Sequence, residues 1–278
     1  MSDLFVLQPH PEATLLADTC AVLRDEFISL AAERDRLLTT DIPAMTAEYQ
    51  LKIGASRYPL FCRECELRRL KRKVELIQAA FNRMEPVSLA GIDAVLDEEL
   101  AAWTEQLKEM AKKLSDAHWY ADLPKLSSEE SSELLSLYRM LAKRLHPDLN
   151  PIQDPATKNL WLRVGEAYRH GDLNGLRAAA LMLEDVPELT LPSALERLSE
   201  LREKLKARIT TALAELAALK SAFPLNLCSN LADASWVATE VAAFEEQTAE
   251  ANRRIGAVTV LLAALIGGVS GESRTNLH

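Results

Sequence analysis

Glycine and aromatic residues are scarce in this chain, and their scarcity argues against a sheet-based fold. Among 278 residues there are 9 glycines, and aromatic side chains make up 5% of the composition. Strands favour aromatic and β-branched residues, and tight hairpin turns need glycine. Alanine, leucine, glutamate, lysine and arginine dominate instead, which is the composition of long helices and coiled coils. We therefore predict an all-α fold.

The cysteine content is also low, and the N-terminus does not have the pattern of an export signal. Four cysteines in a chain of this length do not make a disulfide framework, which favours a reduced, cytoplasmic location. The N-terminus, MSDLFVLQPHPEAT, has neither the basic start nor the apolar core of a secretory signal. An uncharged run at 255–269 has fifteen residues, fewer than the roughly 20 that span a membrane. We interpret it as the buried end of a helix and expect no membrane contact; a short tail anchor is the alternative.

The chain has no excess of positive charge. Its formal net charge is −9 and its sequence pI is about 5.2, whereas general nucleic-acid binders are usually basic. The strongest basic run, residues 63–73, is interleaved with Glu64 and Glu66. We interpret this run as a solvated helix face and expect no nucleic-acid partner. Binding of an acidic partner or of nucleic acid is the alternative for the run.

Patterns typical of enzymes and metal sites are missing. Cys62 and Cys65 form a Cys-x-x-Cys pair, but zinc needs two further ligands, and Cys20 or Cys228 could join only through the fold. A redox Cys-x-x-Cys normally belongs to a βαβ context, and no strand is predicted. The pair is therefore interpreted as thiols along a helix. Nothing resembles a phosphate loop, a nucleophile elbow or a paired-carboxylate site, so we expect no enzyme activity, no metal and no cofactor.

The apolar periodicity predicts long helices at both ends of the chain. Two N-terminal helices, over 11–38 and 45–84, are expected to be separated by a break at Thr39–Pro43, with an interruption at Tyr58-Pro59. Ser88 is a candidate N-cap for a third helix. The predicted domains are an N-terminal antiparallel hairpin plus a third helix (1–115), a central domain (116–186) and a C-terminal hairpin (187–278). Intermolecular coiled coils give nearly the same pattern, so a homodimer is left open.

The central domain contains a helix with one apolar and one basic side, followed by an abrupt stop. The apolar face consists of Leu134, Leu137, Tyr138, Leu141 and Leu145. Arg139, Lys143 and Arg144 lie on or near the other side. Proline disfavours helix in the residue before it, so Pro147 forces His146 out of the helix and Asp148 follows in a turn. An exposed loop with an imidazole and a carboxylate is therefore expected beside a basic helix.

A second amphipathic helix follows this loop. Within residues 155–170 the apolar positions include Trp161, Val164, Ala167 and Tyr168. The sequence Gly171-Asp172 ends the helix. We therefore predict two antiparallel helices joined by a loop that holds His-Pro-Asp.

This arrangement resembles the J-domain of the DnaJ-like co-chaperone family. The matching residues are Tyr138, Arg139, Leu141, Ala142, Lys143, Arg144, His146, Pro147, Asp148, Asn150, Pro151, Ala167 and Tyr168. The resemblance covers about residues 118–172. It departs from the family pattern in its first helix, where Trp119-Tyr120 stands for the usual tyrosine pair, and in Leu149, where a basic residue is common. Without a glycine/phenylalanine-rich linker or zinc motifs, the chain looks like the divergent class that keeps only the J-domain.

The resemblance implies a co-chaperone function. The basic helix and the loop would dock on a DnaK-type heat-shock ATPase and trigger ATP hydrolysis, so that an unidentified client protein is clamped. The docking residues it implies are His146, Pro147, Asp148, Arg139, Lys143, Arg144 and Asn150. Asp148 would meet an arginine of the chaperone, and the flanking helices would bind the client or self-associate. The alternative is a structural adaptor protein whose J-like helices no longer activate a chaperone.

The interpretation of Cys62 and Cys65 as helix thiols predicts that the purified protein carries far less than stoichiometric zinc. Zinc analysis of protein purified without chelator tests this, and chelator treatment should leave the far-UV circular dichroism unchanged. A full equivalent of zinc, with loss of helix on chelation, would contradict the prediction.

Overall fold

The protein is all-α. The computed structural model describes residues 11–123, 126–150, 153–182 and 195–275, with the side chains of 268–275 excepted, and every regular element in these ranges is helical. In chain order the helices are α1 (Pro11–Arg36), α2 (Ile42–Tyr49), α3 (Ala55–Asn82), α4 (Leu89–Glu99), α5 (Ala101–Ala121), α6 (Ser128–Leu145), α7 (Pro155–Arg169), α8 (Leu173–Met182), α9 (Leu195–Ser221), α10 (Cys228–Ala232) and α11 (Ala234–Thr275). The chain forms two compact units. One comprises residues 1–43 and 124–226, and the other comprises 44–123 and 227–278.

The first unit contains α1 and α6–α9, and its central feature is the pairing of α1 with α9. The thiol of Cys20 donates to the carbonyl of Leu198 at 3.4 Å, and Arg34 contacts Glu215 at 3.2 Å. Residue numbers rise together along both helices, so α1 and α9 are parallel. Their apolar sides share one core cluster with α6, α7 and α8.

Local sequence signals start and stop the shorter helices of this unit. The hydroxyl of Ser127 accepts from the Glu130 amide, and the Glu130 carboxylate accepts from the Ser127 amide, forming a capping box at the start of α6. At the start of α7, Asp154 accepts from the Thr157 amide at 2.6 Å. Gly171, with φ of 65°, takes the left-handed conformation that ends α7.

The second unit is built on α3, which packs along α11 and also contacts α4 and α5. Its buried side chains include Leu60, Val74, Ile77, Leu96 and Leu231. The side chain of Ser88 accepts from the Gly91 amide, so the predicted N-cap of α4 is present. The single helix predicted after Ser88 is two helices, because the backbone at Leu100 (φ −104°, ψ 11°) departs from helical geometry.

Acidic residues of α4 neutralise much of the basic run of residues 63–73. Arg69 contacts Asp97 at 2.7 Å, Lys73 contacts Asp93 at 2.8 Å, and Arg72 contacts Glu99 at 2.8 Å. These hydrogen-bonded cations lower the pKa of Asp93 and of Glu99. The run is thus a helix–helix ion-pair surface. Glutamates of the same helix also take part, since Arg63 contacts Glu66 at 2.7 Å and Arg72 contacts Glu75 at 3.0 Å.

The predicted break at Thr39–Pro43 is wrong. Residues Leu37–Asp41 form a π-helical segment, and α2 begins at Ile42. Pro43 is the second residue of α2, which directly continues the π-helical segment, since the Ile42 amide donates to the Leu37 carbonyl. Likewise Pro59 lies inside α3, after a second π-helical segment at Gln50–Gly54. The π turn changes the hydrogen-bond spacing locally, so the chain stays helical through both prolines.

The units also differ from the predicted domains 1–115, 116–186 and 187–278. The helices of the central segment share a unit with α1 and α9, and α3 belongs to the same unit as α11. Long N-terminal helices therefore pair with long C-terminal helices, where hairpins of neighbouring helices were predicted. An amphipathic stripe specifies that a helix must be covered, but not which helix covers it.

The uncharged run at 255–269 belongs to α11. Of its large side chains, Val260 is 72% exposed and Leu261 is 46% exposed, so the buried helix end predicted there is only partly covered within this chain. In the part of the chain that the structure describes, no helix combines the length and hydropathy that a membrane crossing requires.

The shared core of the first unit predicts a contrast between two leucines of α9. Leu205 is 1% exposed in the core cluster, whereas Leu213 is 50% exposed. Leu205→Ala should lower the free energy of unfolding by about 2–5 kcal/mol because it leaves a cavity. Leu213→Ala should change it by no more than about 0.5 kcal/mol. Denaturant unfolding followed by circular dichroism measures both, and equal effects would show that the α1–α9 core is not formed as described.

Candidate functional site

The helix pair predicted around the His-Pro-Asp loop is formed by α6 and α7. Tyr138 of α6 stacks on Tyr168 of α7 with ring centroids 4.0 Å apart, and His146 meets Trp161 at 5.0 Å. Residue numbers rise along one helix and fall along the other, so the two helices are antiparallel. α8 packs against both of them.

All nine residues assigned to the apolar faces of these helices lie in one core cluster. Tyr138, Leu141, Leu145, Val164 and Tyr168 are buried within it, and Leu134, Leu137, Trp161 and Ala167 are partly buried against it. The same cluster includes side chains of α1 and α9. The loop therefore joins two helices whose core is shared with α1 and α9, the long helices of the same unit.

The backbone of the loop is held by a single carbonyl. His146, with φ −64° and ψ 127°, is the extended residue that caps α6. The amides of Leu149 and Asn150 both donate to the His146 carbonyl, at 3.0 and 2.9 Å. The Gln153 side chain donates to the Leu145 carbonyl at 2.6 Å, which satisfies one of the free carbonyls at the helix end. Pro147 adds a fixed φ, so the turn has little freedom.

The imidazole of His146 is half-buried between two aromatic rings. Phe27 of α1 meets it edge-on at 5.5 Å, and Trp161 lies on another side. Its Nδ1 accepts a hydrogen bond from the Asp148 amide at 3.1 Å. A nitrogen that accepts cannot carry a proton, so the contact favours the neutral ring. His146 is thus a structural part of the loop and fixes the position of Asp148.

Burial and the neighbouring arginines also favour the neutral form of the His146 ring. Burial, the largest effect, lowers the pKa of His146 below its ordinary value of 6.5. Arg34 and Arg208 lower the pKa further, whereas Asp148 and Asp35 oppose the shift. The ring is therefore neutral over a wider pH range than a free imidazole.

The charged residues assigned to docking differ in their exposure. Arg139 and Lys143 are exposed, one helical turn apart on the same side of α6, and Pro147 and Asp148 are exposed in the loop. Arg144, at the end of α6, and Asn150 are half-buried. The exposed members lie along α6 and in the loop that follows it. They can offer positive charge and one carboxylate to a partner.

Two of these exposed charges are already paired within the first unit. Lys143 Nζ lies 2.6 Å from a carboxylate oxygen of Asp25 on α1, and Asp148 Oδ1 lies 2.6 Å from a guanidinium nitrogen of Arg208 on α9. Asp25 and Arg208 were not identified from the sequence. Charged residues are common on exposed helix faces, and no spacing rule connects positions so far apart in the chain.

A third contact of α6 with the long helices is a part-buried hydrogen bond. The Tyr138 hydroxyl donates to the carboxylate of Asp35 on α1. Burial and the nearby Asp35 raise the pKa of Tyr138 and raise that of Tyr168 to about 12. Both phenols therefore remain protonated at neutral pH, and Tyr138 ties α6 to α1.

The structure shows where the residues lie that depart from the J-domain pattern. Leu149, which stands where a basic residue is common, is 8% exposed and packs into the core cluster. Trp119 and Tyr120, expected in a first J helix, belong to α5 of the second unit. In the first unit, the long helix that packs along α6 is α1.

The remaining candidate site is the pair of cysteines on α3. Cys62 and Cys65 are half-buried free thiols along α3, as predicted, and burial raises the pKa of Cys65. Among the described residues no group of three or more His, Cys, Asp or Glu side chains could hold a metal ion.

Comparisons with protein-family models, curated proteins and solved structures find no match.

The half-buried, neutral ring of His146 predicts a pH dependence of stability. The unfolded chain, with an ordinary imidazole, binds more protons than the folded chain once the pH falls below about 6.5. The contribution of His146 is therefore complete above that pH and is lost as the pH drops toward the lowered pKa. His146→Gln should reduce the fall in unfolding free energy between about pH 7.5 and pH 5.5.

His170→Gln, at an exposed position at the end of α7, is the matched control for removing one histidine from the same unit. Denaturant unfolding at both pH values measures the fall in unfolding free energy of the wild type and of each variant. An identical pH dependence in the wild type and in His146→Gln would contradict the burial of a neutral ring.

Proposed function

We propose that this protein is a J-domain co-chaperone of a DnaK-type heat-shock ATPase. The loop of His146, Pro147 and Asp148 would dock on the ATPase together with Arg139 and Lys143 of α6. Docking would stimulate ATP hydrolysis and clamp a client. Arg144 and Asn150 would support this surface from half-buried positions. The client is unidentified, and the long helices outside α6–α8 are the candidate surfaces for binding it or for forming a homodimer.

One observation supports the proposal most directly. Pro147 and Asp148 are exposed, whereas His146 packs inward and its carbonyl fixes the turn. An ordinary helix stop does not require a half-buried imidazole to accept from the amide of an exposed aspartate. Such an arrangement presents a carboxylate in a fixed position, which suits a charge-assisted contact with an arginine of a partner.

The expected contact is weak and transient. It involves a small, charged and solvent-exposed surface, and salt screens such charges over about 10 Å at 0.1 M ionic strength. The free cysteines and the ATP-dependent partner are consistent with action in the cytoplasm, which we propose as the location. The proposed role requires no catalytic residue and no cofactor in this chain.

A structural adaptor is the second candidate. Its support is the pairing of Asp148 with Arg208 and of Lys143 with Asp25. In that case the polar surface of α6 and the loop would serve to hold the first unit together, and a different surface would bind the partner.

Single-turnover ATP hydrolysis by the DnaK-type chaperone of the same organism distinguishes the two candidates. The full-length protein is expected to accelerate hydrolysis, and His146→Gln should return the rate to that of the chaperone alone, because the ring that positions Asp148 is lost. His170→Gln, an exposed histidine of the same unit, should stimulate as the wild type does.

Circular dichroism of each variant separates loss of docking from loss of folding. A co-chaperone of known activity serves as the positive control. Absence of stimulation by the full-length wild type, with that control active, would reject the co-chaperone proposal and favour the adaptor.

A further inference from the structure

Two charge pairs connect the proposed docking surface to the long helices of its own unit. Lys143 reaches Asp25 of α1, and Asp148 reaches Arg208 of α9, each at 2.6 Å. All four side chains keep between 41% and 56% of their surface exposed. Asp25, Lys143 and Asp148 are accessible to water and to a competing partner, whereas the Arg208 nitrogen that faces Asp148 is itself buried.

The long helices also approach the loop from the side of the histidine. Phe27 of α1 contacts the His146 ring. An open pocket of about 180 Å³ lies beside these contacts, and Phe27, His146, Asp148 and Arg208 are among its lining residues. α1 and α9 thus flank the loop, and the pocket lies where they meet it.

We propose that Asp25 and Arg208 are an internal competitor for the docking surface. This inference rests on the proposed co-chaperone function. Arg208 occupies the carboxylate of Asp148, and Asp25 occupies the ammonium group of Lys143, so a chaperone must displace both before it can make the same contacts. The free protein is partly self-inhibited, and an event that breaks these two pairs while leaving the shared core intact increases its activity.

The expected strength of this inhibition is modest. Exposed ion pairs of this kind change an equilibrium by about 1.4- to 5-fold each. The two pairs use different side chains on different helices, so their effects should multiply to about 2- to 30-fold. Inhibition of this size lowers the apparent affinity for the chaperone without abolishing docking.

Substitution of the two competing residues tests the proposal, since neither belongs to the surface proposed to touch the chaperone. Asp25→Ala, Arg208→Ala and the double variant should lower the concentration of full-length protein that gives half-maximal stimulation of single-turnover ATP hydrolysis. The decrease should be about 1.4- to 5-fold for each single variant and larger for the double variant. Raising the salt concentration should shrink these differences, because salt weakens the pairs in the wild type.

Matched controls remove the same charges elsewhere on the same helices. Asp18→Ala lies two turns earlier on α1, about 10 Å along its axis. Arg197→Ala lies about 16 Å earlier on α9. Both side chains are exposed. These variants should leave the half-maximal concentration at the wild-type value, which excludes a general effect of net charge.

The outcomes separate the two proposals. If the wild type stimulates hydrolysis and the Asp25 and Arg208 variants, folded by circular dichroism, stimulate no better than their controls, the internal competition is rejected and the co-chaperone function stands. If neither the wild type nor any variant stimulates, both are rejected together. Stimulation only after Asp25 or Arg208 is replaced would support both and indicate stronger inhibition than the ion pairs alone predict.

Discussion

The first unit depends on the apolar side of α1. Cys20, Phe27, Ile28 and Ala32 are buried along it and lie in one cluster with residues of α6, α7, α8 and α9. Two antiparallel helices with a third, short one bury limited apolar area by themselves, and small domains are correspondingly marginal. α1 and α9 add the surface that covers the pair. The geometry of the His-Pro-Asp loop therefore depends on residues at the beginning of the chain and near its end.

This dependence has an electrostatic consequence. Once α1 is placed along α6, its polar residues at the edge of the core meet those of α6. Asp35 accepts from the buried hydroxyl of Tyr138, and Asp25 pairs with the exposed Lys143. The part-buried contact secures the helices, because an unsatisfied phenol or carboxylate there would be costly. The exposed contact contributes little to stability and is correspondingly easy to replace.

In the second unit, too, apolar side chains are buried and ion pairs lie at the surface. Val74 and Ile77 of α3 are buried, while Arg69 and Arg72 of that helix pair with Asp97 and Glu99 of α4. A basic run that is conspicuous in the sequence is thus largely neutralised by acids some 27 or 28 positions further along the chain. A count of charges over a short stretch of sequence therefore overstates the positive charge that such a helix presents to solvent.

The sequence by itself determined the helical class, several helix ends and the His-Pro-Asp turn, because these follow from interactions within a few residues. Pro147 excludes His146 from the helix, Ser88 caps α4, and Gly171 ends α7. The tertiary structure decided which helix covers which, and with it the pairing of Asp148 with Arg208. Apolar periodicity is the same for any partner, so only the competition for burial within the folded chain selects α9 for α1. Sequence-local rules also failed at Pro43, where a π-helical turn accommodates a proline that was expected to break the helix.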